Sequence, residues 1–203
     1  MERESMYTDL VRETFVSKEG MKLDIELKDA DAISESEKEE LMELSIKMFP
    51  EYADLYRVNK YFSAIEPQKS WIVRHEGKIV ATGKFLTKKA VVDGEELQMS
   101  GFGLLVDTEY QKLGIASRLL DLNIKVASEI GSDFIYATTE NVVVDAMLRG
   151  REFALLDTKV KYHMPDTDEQ KNESKRVYVH ELKSGVLDRL QTANELNIGV
   201  GAV

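Results

Sequence analysis

Polar and apolar residues alternate over residues 21–30 as Met-Lys-Leu-Asp-Ile-Glu-Leu-Lys, the period of two expected of a strand with one buried face. The period then lengthens. Leu41, Met42, Leu44, Ile46 and Phe49 support a helix ending at Pro50, and Ser34 with Glu37 three positions on forms a capping-box pattern at its start. Residues 51–64 predict a second, short helix. Three strand-like runs follow, at 70–74, 78–91 and 97–106, separated at Glu76-Gly77 and at Asp93-Gly94, a pair suited to a tight hairpin turn.

From Gly101 to Val106 the chain reads as a buried strand, and from Leu113 to Ile130 as an amphipathic helix that Gly131 stops. Residues 133–139 predict another buried strand. Residues 141–150 predict a helix, against the low propensity of Val142, Val143 and Val144. Two alternating runs, 154–164 and 175–182, flank the charged segment 165–174 and predict a final hairpin with a long solvated loop. Residues 186–196 predict a terminal helix, and 198–203 a loose tail.

The connection Gln111-Lys112-Leu113-Gly114-Ile115-Ala116 carries the chemistry. A loop between a buried strand and a helix turns successive backbone N–H groups into one concavity, where the aligned peptide dipoles leave partial positive charge. Gly114 lets the main chain approach a ligand without a Cβ in the way, and Ala116 is small for the same reason. Lys112 and Arg118 supply charge at the rim, so the expected ligand is a diphosphate.

Composition narrows the picture. A chain of 203 residues, 43% of them hydrophobic, suits one ordinary domain with a sizeable core. No apolar run approaches a membrane span, and residues 1–20 mix acidic, basic and polar types, so the expected protein is soluble and cytoplasmic, with no membrane partner. There is no cysteine, which excludes disulfides, thiolate metal sites and acyl transfer through a cysteine thioester. His75, His163 and His180 show no ligand spacing, so no metal is expected. A net charge of −10 disfavours nucleic acid and suits a cationic acceptor such as an amine, although solubility alone accounts for it.

The pattern Gln/Arg-x-x-Gly-x-Gly/Ala after a hydrophobic strand, here Gln111, Gly114 and Ala116, resembles the acyl-CoA signature of the GNAT superfamily of N-acyltransferases. The order of elements over residues 21–182 is also similar to that family. Residues 1–20 read as an N-terminal extension and 183–203 as a C-terminal helix and tail. The resemblance implies a mixed α/β (α+β) fold: a mostly antiparallel seven-stranded sheet flanked by helices, with splayed central strands. It further implies acetyl-CoA as acyl donor, with backbone contacts from Leu104, Leu105 and Val106 to the pantetheine arm. The pyrophosphate would be held by Gln111, Lys112, Leu113, Gly114, Ile115, Ala116, Ser117 and Arg118. The hairpin at 78–97 is also similar to that of aminoglycoside 2′-N-acetyltransferases and the nodulation acyltransferases.

The family also has an Asn after the fifth strand, a Tyr seven residues on that protonates the leaving thiolate, and Gly-Phe beyond it. Anchored on Asn141, which the resemblance makes a pantetheine contact, and on Phe153, the pattern puts Leu148 at the Tyr position and Glu152 at the Gly position. Tyr136, Ser100 and Tyr162 are the other candidate donors. A thiol of pKa near ~8.5 leaves with little help, and holding amine and thioester together lowers a barrier by roughly 7–11 kcal/mol. An amine of pKa around ~10 must first lose a proton. Glu95, Glu96, Asp107, Glu109 and Glu140 are the available carboxylates, with Glu140 preferred for its place beside Asn141. The aromatic stretch Phe49, Tyr52, Tyr56, Tyr61 and Phe62 either faces the acceptor or packs on the sheet. Expected partners are therefore acyl-CoA and an amine of a small molecule or polypeptide, with a homodimer as a candidate assembly. The alternative is an acyl-CoA-binding module that does not turn over.

Overall fold

A computed structural model describes residues 12–59, 66–165, 167 and 169–201. The strands are β1 (Arg12–Val16), β2 (Lys22–Asp29), β3 (Lys69–His75), β4 (Lys78–Val92), β5 (Glu95–Val106), β6 (Phe134–Thr139), β7 (Ala154–Leu156), β8 (Lys159–His163), β9 (Gln170–Asn172), β10 (Arg176–Glu181) and β11 (Glu195–Val200). The helices are α1 (Glu35–Met48), α2 (Ala53–Asn59), α3 (Ile115–Glu129), α4 (Val142–Arg149) and α5 (Val186–Thr192). The fold is a mixed α/β one, its sheet mostly antiparallel and flanked by helices. The chain divides into two compact units, and β4, β5 and α3 each begin in one and end in the other.

The first unit holds β1 to β3, α1, α2, the start of β4, and Leu104–Leu119. β1 lies antiparallel to β2, with Arg12 opposite Glu26 and Val16 opposite Lys22, and β2 lies antiparallel to β3. β1 falls within the stretch expected to be an extension. α1 forms because Ser34 and Glu37 cap each other's backbone groups, and it buries Leu41 and Leu44 with Ile33, Ile72, Ile79 and Leu105. The Glu37 carboxylate also accepts from Lys28 and Arg74; burial favours its protonated form, yet these bonds and those from Ser34 hold its pKa down to about 2. The predicted second helix begins as a single 3-10 turn at Pro50–Tyr52 and becomes α2; residues 60–64 lie outside the described residues.

The second unit holds the rest of β4 and β5, then β6 to β11, α4 and α5. Asp93 and Gly94 both take positive φ, 47° and 84°, as the hairpin turn requires. β5 and β6 are parallel, in register over Met99–Gly101 and Phe134–Tyr136; β10 then pairs antiparallel with β6 and β7. Its core joins Met99, Phe134, Tyr136, Val177 and Val179 to Leu190, Leu196 and Ile198.

Three features of this unit differ from expectation. The run 154–164 divides into β7 and β8, which do not share a partner: β7 pairs with β10, and β8 pairs in parallel with β11. The charged segment contributes β9, antiparallel to β8. The predicted terminal helix stops at Thr192, and strand β11 takes its last two residues with the first three of the predicted tail, its side chains Leu196 and Ile198 fully buried and Gly201 N donating to His163 O at 2.7 Å; residues 202–203 lie outside the described residues. With β1, these bring the strands among the described residues to eleven rather than seven.

Candidate active site

Val106 ends β5, and Asp107 fixes the way out. Its carboxylate is almost inaccessible; it receives Lys47 Nζ at 2.8 Å on both oxygens and the Glu109 amide at 3.3 Å, while its own amide donates to Val80 O at 2.9 Å. Burial pushes the Asp107 carboxyl up, but the Lys47 ammonium and the Glu109 amide outweigh it and hold the group below the usual range. One 3-10 turn, Thr108–Tyr110, leads into the loop. Gln111 folds back, donating from Nε2 to Val106 O at 3.2 Å, so the loop is closed onto the strand it left.

Lys112 and Gly114 then take left-handed conformations, φ 67° and 90°, which curl the main chain so that neighbouring amides converge. Leu113 and Ile115 are buried and anchor the loop from beneath, while Gly114, Ala116, Ser117 and Arg118 are half-buried and Gln111 and Lys112 exposed. The bond from Arg118 N to Gly114 O, 2.9 Å long, marks the first turn of α3, so the amides of Ile115 and Ala116 precede it and face out of the helix end. A Cβ on Gly114 would come within 3.5 Å of Phe15 Cζ. Converging amides, a helix N-terminus and a glycine at close approach fit the diphosphate of an acyl-CoA. Arg118, expected at the rim, is bound instead to Glu13, its Nε donating to Oε1 at 2.6 Å and its Nη2 to Oε2.

Asn141, Glu140, Tyr136 and Ser100 lie in the second unit. Asn141 Oδ1 caps α4, accepting from Val143 N at 2.8 Å and Val144 N at 3.4 Å, and so offsets the poor propensity of the valines. Glu140 is exposed; its carbonyl accepts from Arg176 Nη2 at 3.2 Å, and its carboxylate makes no ion pair with a described residue. Arg176 also reaches Asp145, which takes Tyr178 Oη and Arg149 Nε at 2.7 Å each; Asp145 is thereby held below its usual range, first by the Tyr178 bond. This network pins the start of α4 to β10.

Tyr136 is fully buried, its hydroxyl without a hydrogen-bond partner, and burial, with Glu173 and Tyr162 nearby, raises it far above the ordinary range. Ser100 is fully buried too, 2.6 Å from Ser132 Oγ. Leu148 is core, and Glu152 holds φ 62°, the conformation a glycine adopts freely. Of the other carboxylates, Glu95 pairs with Arg189 and Glu96 with Lys89, while Glu109 lies 3.9 Å from Lys47. Among the aromatics, Tyr56 is buried and Phe49 and Tyr52 are exposed; Tyr61 and Phe62 lie outside the described residues. Sequence reasoning missed Lys47, Glu13 and Phe15, whose partners lie 60 and about a hundred positions away.

The sequence pattern of the Acetyltransferase (GNAT) family matches residues 35–149, more than half of the chain. The chain belongs to the GNAT acetyltransferase family. Among GNAT structures it is similar to the GNAT domain of S. lividans PAT, at 14% identity, 84% of this chain, 97% of that one and a TM-score of 0.56. A GNAT family N-acetyltransferase from Escherichia coli, solved in complex with CoA, matches at 15% identity over 94% of this chain and 92% of that one, with a TM-score of 0.53. These likenesses concern the GNAT fold. The chain spans about a third of the length of a GCN5-related N-acetyltransferase from Kribbella flavida, matching at 17% identity over 66% of this chain and 33% of that one, with a TM-score of 0.49. No curated protein sequence matches the chain. Among the described residues of this GNAT protein, no helix is long and apolar enough to cross a membrane.

Proposed function

We propose that this protein is an N-acetyltransferase that moves an acetyl group directly from acetyl-CoA to an amine. The observation that carries the proposal is the loop at the start of α3, where Lys112 and Gly114 turn left-handed and the Ile115 and Ala116 amides face out of the helix end. The bound thioester supplies an activated acyl group with a good leaving thiol. Gln111, Lys112, Leu113, Gly114, Ile115, Ala116 and Ser117 hold its diphosphate. The backbone of Leu104, Leu105 and Val106, in the part of β5 that continues past its register with β6, offers hydrogen-bonding groups to the pantetheine arm, and the Asn141 side-chain amide adds a further contact.

The protein's contribution to rate is chiefly proximity. Transfer is sequential, and a chain without cysteine has no thiol to carry the acyl group. Glu140, exposed and free of ion pairs with described residues, takes a proton from the acceptor ammonium, directly or through water, so that the free amine attacks the thioester carbonyl and the CoA thiolate leaves. Tyr136 is the candidate donor to the departing thiolate, with Ser100 second. The acceptor is an amine of a small molecule or polypeptide, and the net charge of −10 favours a cationic one.

The test is purified protein with acetyl-CoA and a panel of amines, with CoA thiol followed by a thiol reagent; the cysteine-free chain contributes no background. Amine-dependent thiol release together with an acetylated product is the expected result. Acetyl-CoA binding in calorimetry with no turnover on any amine would leave a binding module, and no binding would remove the proposal.

A further inference from the structure

β1 lies outside the span that matches the family, yet it touches the loop of that family's signature. Glu13 and Phe15 are half-buried on one face of the strand, while Arg12, Thr14 and Val16 are exposed. Phe15 reaches Gly114: its Cζ would stand 3.5 Å from a Cβ placed there. Glu13 binds Arg118 with both carboxylate oxygens, in the fork geometry by which a guanidinium takes a phosphate. Among the described residues, β1 ends the strand order and pairs with β2 alone.

We infer that Glu13 sets the affinity of this site for acyl-CoA by competing with the ligand's phosphates for Arg118. The inference rests on the loop binding acyl-CoA. Arg118 is the sole arginine between residues 104 and 119, and the ion pair leaves it neutral overall. A phosphate arriving at the loop meets that neutral pair rather than a free cation, and the Glu13 carboxylate repels it. Tight binding therefore requires Arg118 to exchange one anion for another. When it does, β1 loses its charged anchor to α3 while its ladder with β2 and the approach of Phe15 to Gly114 remain, so the strand loosens as the site fills.

The experiment is calorimetric titration of CoA into the full-length wild type, Glu13→Gln, Arg118→Gln and the double variant at low salt, with thermal melts to verify folding. Glu13→Gln is expected to bind CoA about tenfold more tightly than wild type, and the gain is expected to fall below about threefold when Arg118 is already Gln. Glu13→Ala repeats the comparison if the glutamine retains a hydrogen bond to Arg118. In the wild type, CoA is expected to speed amide hydrogen exchange over residues 12–16. Unchanged or weaker binding by both Glu13 variants, with wild type binding normally, would overturn the inference and leave Glu13 as a prop that orients Arg118. A gain of equal size with and without Arg118 would also overturn it. Absence of CoA binding to every protein would instead remove the acyl-CoA site itself.

Discussion

Replacing Gly114 with alanine separates the fold from the site. Gly114 sits at φ 90°, where an L-residue costs roughly 1–2 kcal/mol relative to glycine. Space adds nothing to that cost, because the new Cβ would meet Phe15 Cζ at 3.5 Å, an ordinary contact. A domain with about 5–15 kcal/mol of stability survives such a loss, and for a chain of this size the melting temperature falls by roughly 2–8 °C. Binding suffers more. A methyl group in the cradle holds the diphosphate off the Ile115 and Ala116 amides, and each charge-assisted hydrogen bond is worth about 1.5–3 kcal/mol. Loss of one or both predicts at least a tenfold rise in the Kd for CoA by calorimetry, on a protein that still melts cooperatively. Affinity within threefold of wild type, with the melting temperature lowered as expected, would refute the close approach of phosphate to Gly114.

Three further substitutions probe separate parts of the account. Glu37 is held down from 4.5 to about 2, so its stabilisation, about 3 kcal/mol, is present above pH 4.5 and lost as the pH falls towards 2; Glu37→Gln should lower stability at pH 7 and flatten acid unfolding across that window in denaturant titrations. Tyr136→Phe removes a buried hydroxyl that has no partner and should leave stability unchanged or raise it by up to about 1 kcal/mol; a fall in kcat without a matching rise in KM would support Tyr136 as proton donor, and unchanged kcat would strike it from that role. Glu152→Gly relieves a left-handed φ of 62° at the cost of a freer unfolded chain, and should raise the melting temperature by roughly 1–4 °C; a lower one would mean that the Glu152 side chain makes a contact worth more than the strain.

Where a signal was local, the sequence carried it. The capping box at Ser34 and Glu37 and the turn at Asp93-Gly94 each involve residues within a few positions of one another, and each appears at its expected place. The loop from Gln111 to Ala116 was legible because a glycine between strand and helix periodicity has few other uses. What escaped depends on partners distant in sequence. The segment 198–203 looked loose because glycines interrupt its short apolar run, yet β8 and β4 give β11 the ladder it lacks alone. β9 is three exposed residues that only pairing with β8 makes a strand. Lys47 is a basic residue in the last turn of α1 until Asp107, 60 positions on, shows what it holds. Tyr136 and Ser100 read as polar candidates in buried strands, and only packing reveals that one hydroxyl is orphaned and the other paired with Ser132.

Amide NMR of the full chain during titration with CoA tests the central claim most directly. If the loop cradles the diphosphate, the backbone resonances of Gly114, Ile115 and Ala116 will shift furthest and saturate with the calorimetric affinity. If CoA binds while those three amides stay still and others move, the cradle lies elsewhere and the account is wrong.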